Sequence, residues 1–144
     1  PFIMISFRHG VKWGLFTGFV NSLLQMLLGF YAPPAPGLLP LVGMILLDYV
    51  LAFTLLGLAC VIAKPFQNRL VGVAVGTAVV CFIRFMCSFL SGVLIWGNLS
   101  DGLPAWTYSL TYNGSYMLPE TIMTTIAAVL IYKAAPQLFR AQND

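Results

Sequence analysis

Long apolar runs separated by short polar breaks fill the chain from end to end. Five apolar segments are readable, at 1–7, 11–30, 40–63, 70–97 and 106–135. A helix needs about 20 apolar residues to cross the hydrocarbon core of a bilayer. The last four segments reach that length, and 70–97 exceeds it, which predicts tilt or protrusion. Segment 1–7 is too short to span and reads as the end of a helix. The breaks are equally plain. Pro33, Pro34, Pro36 and Gly37 forbid a continuous helix between the second and third segments. Lys64-Pro65 closes the third, and a turn-rich stretch at 98–104, which contains Asp101, precedes the last. The pattern predicts an all-α, polytopic membrane helical bundle forming a single domain over 1–144. About five transmembrane segments are present, and the short first segment suggests that the numbering begins inside a longer protein.

Composition agrees with the pattern: 60% of residues are hydrophobic and 8% charged. A soluble domain carries about a quarter charged residues, so this chain lacks the means to cover itself with a water-compatible surface. The net charge of +3 does not point to nucleic acid, because the basic residues sit in the gaps between apolar runs. Arg8 and Lys12 share one gap, Lys64 and Arg69 another, and Lys133 and Arg140 follow the last run. These places alternate with connections at 31–39 and 98–104 that hold no Lys or Arg. The positive-inside rule therefore puts the basic gaps and the C-terminus on the cytoplasmic side of the membrane. His9 lies beside Arg8 and reads as a solvated loop residue. Cys60, Cys81 and Cys87 fall inside apolar segments without C-x-x-C spacing, as small buried residues rather than redox centres. Gly10, Gly14 and Gly18, and Gly72 and Gly76 with Ala74 and Ala78, recur at intervals that let helix backbones approach. They predict packing within the chain, with a face for another subunit as the alternative.

Three ionisable residues, Asp48, Arg84 and Glu120, lie within the apolar runs. Each costs about 3 kcal/mol at a helix centre, so such residues face the bundle interior and pair, or mark a ligand path. With Pro40, Trp96 and Trp106 as outer anchors, Asp48, Ser88 and Asn113 all fall roughly 10–12 Å into the membrane. Arg84 and Glu120 fall deeper, roughly 18–21 Å from the same anchors, and are expected to form an ion pair below a pocket. Arg84, Ser88, Ser91, Gly92 and Trp96 share one helical face, and Asn113, Tyr116, Met117, Glu120 and Thr124 share another. Pro119 removes one helix hydrogen bond and is expected to loosen the helix around Ser115. Tyr49, Trp96, Tyr108 and Tyr112, with Asp48 and Asn113, suit a small flat cation with a hydrogen-bonding ring. A polar packing seam is the plainer alternative.

The stretches LLDYVLAFTLLGLA (46–59), RFMCSFLSGVLIWG (84–97) and WTYSLTYNGSYMLPE (106–120) resemble the thiamine-specific S component of energy-coupling factor (ECF) transporters. The likeness covers essentially the whole chain, and it implies a bacterial membrane protein of six helices in its full-length form, with the first missing from this sequence. It implies capture of thiamine from outside by a substrate-binding subunit, without cofactor or metal. A transmembrane coupling subunit and two ATPase subunits would then drive import. It further implies that Asp48, with Tyr49 beside it, is the acidic partner of the ligand. Gly92 and Trp96 would line the pocket, Trp96 by stacking, and Tyr108 and Asn113 would complete it. Ser88 is also placed in the site, although the family commonly has a ligand-contacting His there.

Two alternatives accompany this reading. The same fold could bind a thiamine precursor or a related pyrimidine, as Ser88 suggests, or the chain could be a purely structural membrane subunit. An enzyme is disfavoured. There is no G-x-x-x-x-G-K-[ST] loop, no metal-ligand cluster and no second carboxylate at short spacing from Asp48 or Glu120.

Overall fold

A computed structural model describes residues 1–34, 36–100 and 102–140. Asp101, expected in the loop before the last helix, lies outside the described residues. The described residues form five helical rods: α1 (Phe2–His9), α2 (Val11–Leu28), α3 (Leu38–Ala63), α4 (Arg69–Leu94) and α5 (Ala105–Ala134). Each packs on its neighbour in sequence, and α3 is held extensively by both α2 and α4. A short 3₁₀ turn at Pro136–Phe139 folds back under α1, where Phe139 sits 5.5 Å from Phe7 and 5.6 Å from Tyr132, ring to ring.

Helices α3, α4 and α5 are long and apolar enough to cross a membrane. Helix α2, expected to span from the sequence, is not among them, because Lys12, Asn21 and Gln25 dilute its apolar run. Large apolar side chains such as Leu27, Leu39, Leu94 and Met123 stand exposed around the bundle, whereas small polar ones, Ser6, Ser22, Thr77, Ser91 and Ser109, are fully buried. This inversion of the soluble pattern is what a lipid solvent favours. Apolar surface costs nothing there, and helices associate through small residues and interhelical hydrogen bonds.

The glycine ladders explain the close packing. A Cβ on Gly14 would meet Ser6 and Gly57, and one on Gly18 would meet the Phe53 carbonyl, so α2 lies backbone to backbone against α3. Gly72 and Gly76 do the same against Ala63 and Ala59. Gly10 departs from the expected ladder. It lies outside the helices with φ 90°, and it breaks α1 from α2. Arg8 and His9 consequently close the last turn of α1 instead of lying in a loop.

Helix α3 is not uniform. A π-helical turn occupies Ile45–Leu51 and a 3₁₀ turn Leu55–Leu58. Just past the tight turn, the Cys60 backbone N–H is taken by the Oγ of buried Ser6 at 3.1 Å. Helix α5 runs unbroken through Pro119, so the loosening expected near Ser115 is not seen as a change of helix type. Ser115 Oγ donates to the Tyr112 carbonyl at 2.7 Å, in keeping with the back-bonding that Ser makes inside helices.

Candidate functional site

The C-terminal ends of α2 and α4 and the N-terminal halves of α3 and α5 meet at one end of the bundle. They enclose a cavity of about 420 Å³. That volume is within the range of small-molecule sites, roughly 300–1,000 Å³. All seven residues expected to bind ligand, Asp48, Tyr49, Ser88, Gly92, Trp96, Tyr108 and Asn113, line it.

Asp48 lies inside the π-helical turn, whose extra residue changes the phase of the α3 face. Its Oδ2 accepts from Ser91 Oγ at 2.5 Å and from Trp96 Nε1 at 3.3 Å. Both donors use the same oxygen, which leaves Oδ1 without a hydrogen bond to any described residue. Trp96 reaches Asp48 because α4 ends at Leu94. The expectation of one helical face running from Arg84 through Trp96 is therefore corrected at its last member. Trp96 sits in the turn beyond the helix, at φ −96° and ψ 0°. Its indole points inward to Asp48, and of the two tryptophans expected to anchor the membrane interface, Trp106 is the exposed one.

Aromatic rings make a large part of the wall. Tyr49 stacks on Phe30 at 6.2 Å, and its hydroxyl donates to the Gly29 carbonyl at 2.9 Å, tying α3 to the end of α2. Tyr108, Tyr112 and Tyr116 form a ladder up α5. The first pair is stacked at 6.0 Å and the second is edge-on at 5.9 Å.

Asn113 is buried, and both ends of its amide are occupied. Nδ2 donates to the Ser88 carbonyl at 3.3 Å and to the Ser109 carbonyl and hydroxyl at 3.1 and 3.2 Å. Oδ1 accepts from Tyr116 at 3.0 Å. The amide thus bridges α4 to α5 while it lines the cavity. Gly92 permits this closeness, because a Cβ there would run into Ser109 and come within 3.2 Å of Asn113 Nδ2. The buried Ser88 side chain makes no hydrogen bond among the described residues, and only its backbone is engaged.

At the inner edge of the cavity, Arg84 Nη1 lies 2.5 Å from Glu120 Oε1, and the guanidinium also covers the Phe53 ring at 4.8 Å. Each charge thus has a partner in an otherwise apolar setting. Arg84 lines the cavity directly.

Several lining residues were not singled out from the sequence: Gln25, Tyr31, Met44 and Leu99. Gln25 carried a signal, an amide one turn from the end of an apolar helix. Met44 and Leu99 carried none, because nothing distinguishes them from other apolar residues. Ser91 was placed on the right face, but its bond to Asp48 depends on how α3 and α4 meet.

Known proteins resemble this chain along its length. The Bacillus subtilis thiamine transporter ThiT is 33% identical over 99% of this chain and 77% of its own length. The Lacticaseibacillus paracasei thiamine transporter ThiT is 30% identical over 99% of this chain and 75% of its own length. A solved structure of ThiT from Listeria monocytogenes superposes with a TM-score of 0.77 at 23% identity, covering 97% of this chain and 79% of that one, and so shares the fold. The model of the thiamine transporter protein family matches residues 1–140, so the chain is a multi-pass membrane protein belonging to that family.

Proposed function

We propose that this protein is a substrate-capture subunit that binds thiamine from the outer side of the membrane for ATP-driven import. The observation that carries this reading is Asp48, a carboxylate fixed by Ser91 and Trp96 at the wall of an aromatic cavity. Thiamine joins a cationic thiazolium to an aminopyrimidine. Aromatic faces attract the cation, and a carboxylate with a free oxygen supplies both opposite charge and an acceptor for the amine. Trp96 and Tyr49 flank that carboxylate. Tyr108 and Asn113 close the opposite wall, with Asn113 accepting from the ligand once Tyr116 gives way. Gly92 and Ser88 set the room between α4 and α5.

Partner subunits belong to this proposal: an ECF transmembrane coupling subunit and two ATPases, which would supply the energy. The chain itself lacks a nucleotide-binding loop. The basic end, with the C-terminus, is assigned to the cytoplasm by the positive-inside rule. The test is quenching of tryptophan fluorescence by thiamine in the full-length protein, with Asp48→Asn and Trp96→Ala beside it. Saturable quenching that Asp48→Asn weakens and Trp96→Ala removes is the expected result. A folded protein that ignores thiamine would overturn the reading.

One observation favours a second ligand. The Ser88 hydroxyl is unengaged among the described residues where the family commonly has a His, so the cavity lacks a ring at that position. A pyrimidine precursor that matches or beats thiamine in competition would establish this variant.

A further inference from the structure

A second and larger concavity, about 700 Å³, opens at the opposite end of the bundle. It is lined where α1 ends, α2 begins, the α3–α4 connection turns and α5 finishes. Arg8, His9, Lys64 and Arg69 line it, and no carboxylate among the described residues does. Within the described residues the one ion pair is Arg84–Glu120, at the inner edge of the first cavity, so these cations have no acidic partner among the described residues. Gly10 and Arg69, at the starts of α2 and α4, also line the cavity, so the positive ends of two long helices lie at its wall.

The cavity is amphiphilic. Its buried lining is largely apolar, with Val73 and Phe139 at 2% and 3% exposure, while Lys64 and Arg69 are exposed. Trp13, 58% exposed, Phe66 and Tyr132 add aromatic surface. A topology signal needs only basic residues on one side of the membrane. It does not need them gathered around one concavity with an apolar lining.

We infer that this cavity is a phosphate-binding site, filled by the headgroup of an anionic membrane phospholipid. Arg8, Lys64 and Arg69 would hold the phosphate by charge-assisted hydrogen bonds, with the aromatic and apolar lining against the glycerol and upper acyl chain. A soluble phosphate ester shares the headgroup chemistry but leaves the apolar lining unfilled. The site is independent of the thiamine reading.

The test is the melting temperature of the full-length protein in detergent micelles doped with phosphatidylglycerol, with phosphatidylcholine, or supplied with inorganic phosphate. Arg8→Gln/Arg69→Gln is compared with Lys133→Gln/Arg140→Gln, which removes the same charge outside the cavity lining. Phosphatidylglycerol should raise the melting temperature by several degrees over phosphatidylcholine in the wild type and in Lys133→Gln/Arg140→Gln. Arg8→Gln/Arg69→Gln should lose the shift. A shift of equal size in all three proteins, or none in the wild type, would overturn the site. Equal stabilisation by inorganic phosphate, lost in the same variant, would support the phosphate site and assign it to a soluble ester. If Arg8→Gln/Arg69→Gln does not elute as a monodisperse species, Lys64→Gln, exposed on the connecting turn, takes its place.

Discussion

Ser91 Oγ donates to Asp48 Oδ2 at 2.5 Å, joining two helices whose participating residues stand 43 positions apart in the chain. The serine is fully buried, and its bond holds the carboxylate together with the Trp96 indole. A ligand that needs Asp48 therefore meets it already oriented. Ser91→Ala keeps the volume and removes the tether. A hydrogen bond to a charged group is worth about 1.5–3 kcal/mol, so thiamine binding should weaken roughly 10-fold or more. Fluorescence titration checks this, and unchanged affinity would show that Ser91 only packs.

Asn113 and Tyr116 make a different prediction. The Tyr116 hydroxyl occupies the amide oxygen, the one acceptor that Asn113 can offer a ligand. Tyr116→Phe removes the competitor and leaves the ring in place. Net hydrogen-bond energies of about 1 kcal/mol imply roughly fivefold tighter binding. Weaker binding would mean that the hydroxyl itself contacts the ligand.

Gly92→Ala should damage the α4–α5 contact rather than the ligand chemistry, because the added methyl meets Ser109. Overpacking of this kind typically costs about 1–3 kcal/mol, read as a lower melting temperature. Ser109→Gly in the same chain should recover part of the loss. If the double variant melts no higher than Gly92→Ala, the clash lies elsewhere.

For the Arg84–Glu120 pair the informative quantity is a double-mutant cycle. Glu120→Gln or Arg84→Gln alone strands one charge in apolar surroundings, and each should lower the melting temperature. Arg84→Gln with Glu120→Gln removes both charges and should be milder than the sum of the two single changes. Additive losses would mean that the two residues do not stabilise one another.

Much of this protein was legible along the chain because a bilayer imposes so strong a rule. Helices must satisfy their own backbone, so length, hydropathy and the proline-rich breaks already divided α2, α3, α4 and α5. A charge in an apolar run must be paired or used, so Asp48, Arg84 and Glu120 stood out without coordinates. Helical depth arithmetic placed Asp48, Ser88 and Asn113 at one level, and those three do line one cavity.

Tertiary structure decided what periodicity could not carry. The π-helical turn around Asp48 and the 3₁₀ turn after it break the regular phase on which facing arguments rest. The end of α4 at Leu94 swings Trp96 inward to Asp48, although its spacing placed it on a continuing helix. The amide of Asn113 turned out to be spent on Ser88, Ser109 and Tyr116, because Gly92 lets two backbones close to a distance that sequence does not encode. Arg8, Lys64 and Arg69 read as separate topology signals until the bundle gathered them around one cavity. Hydropathy and spacing are properties of one helix at a time, so they determined the segments and their polar residues. The remaining features are relations between helices, set by how closely small residues allow them to pack.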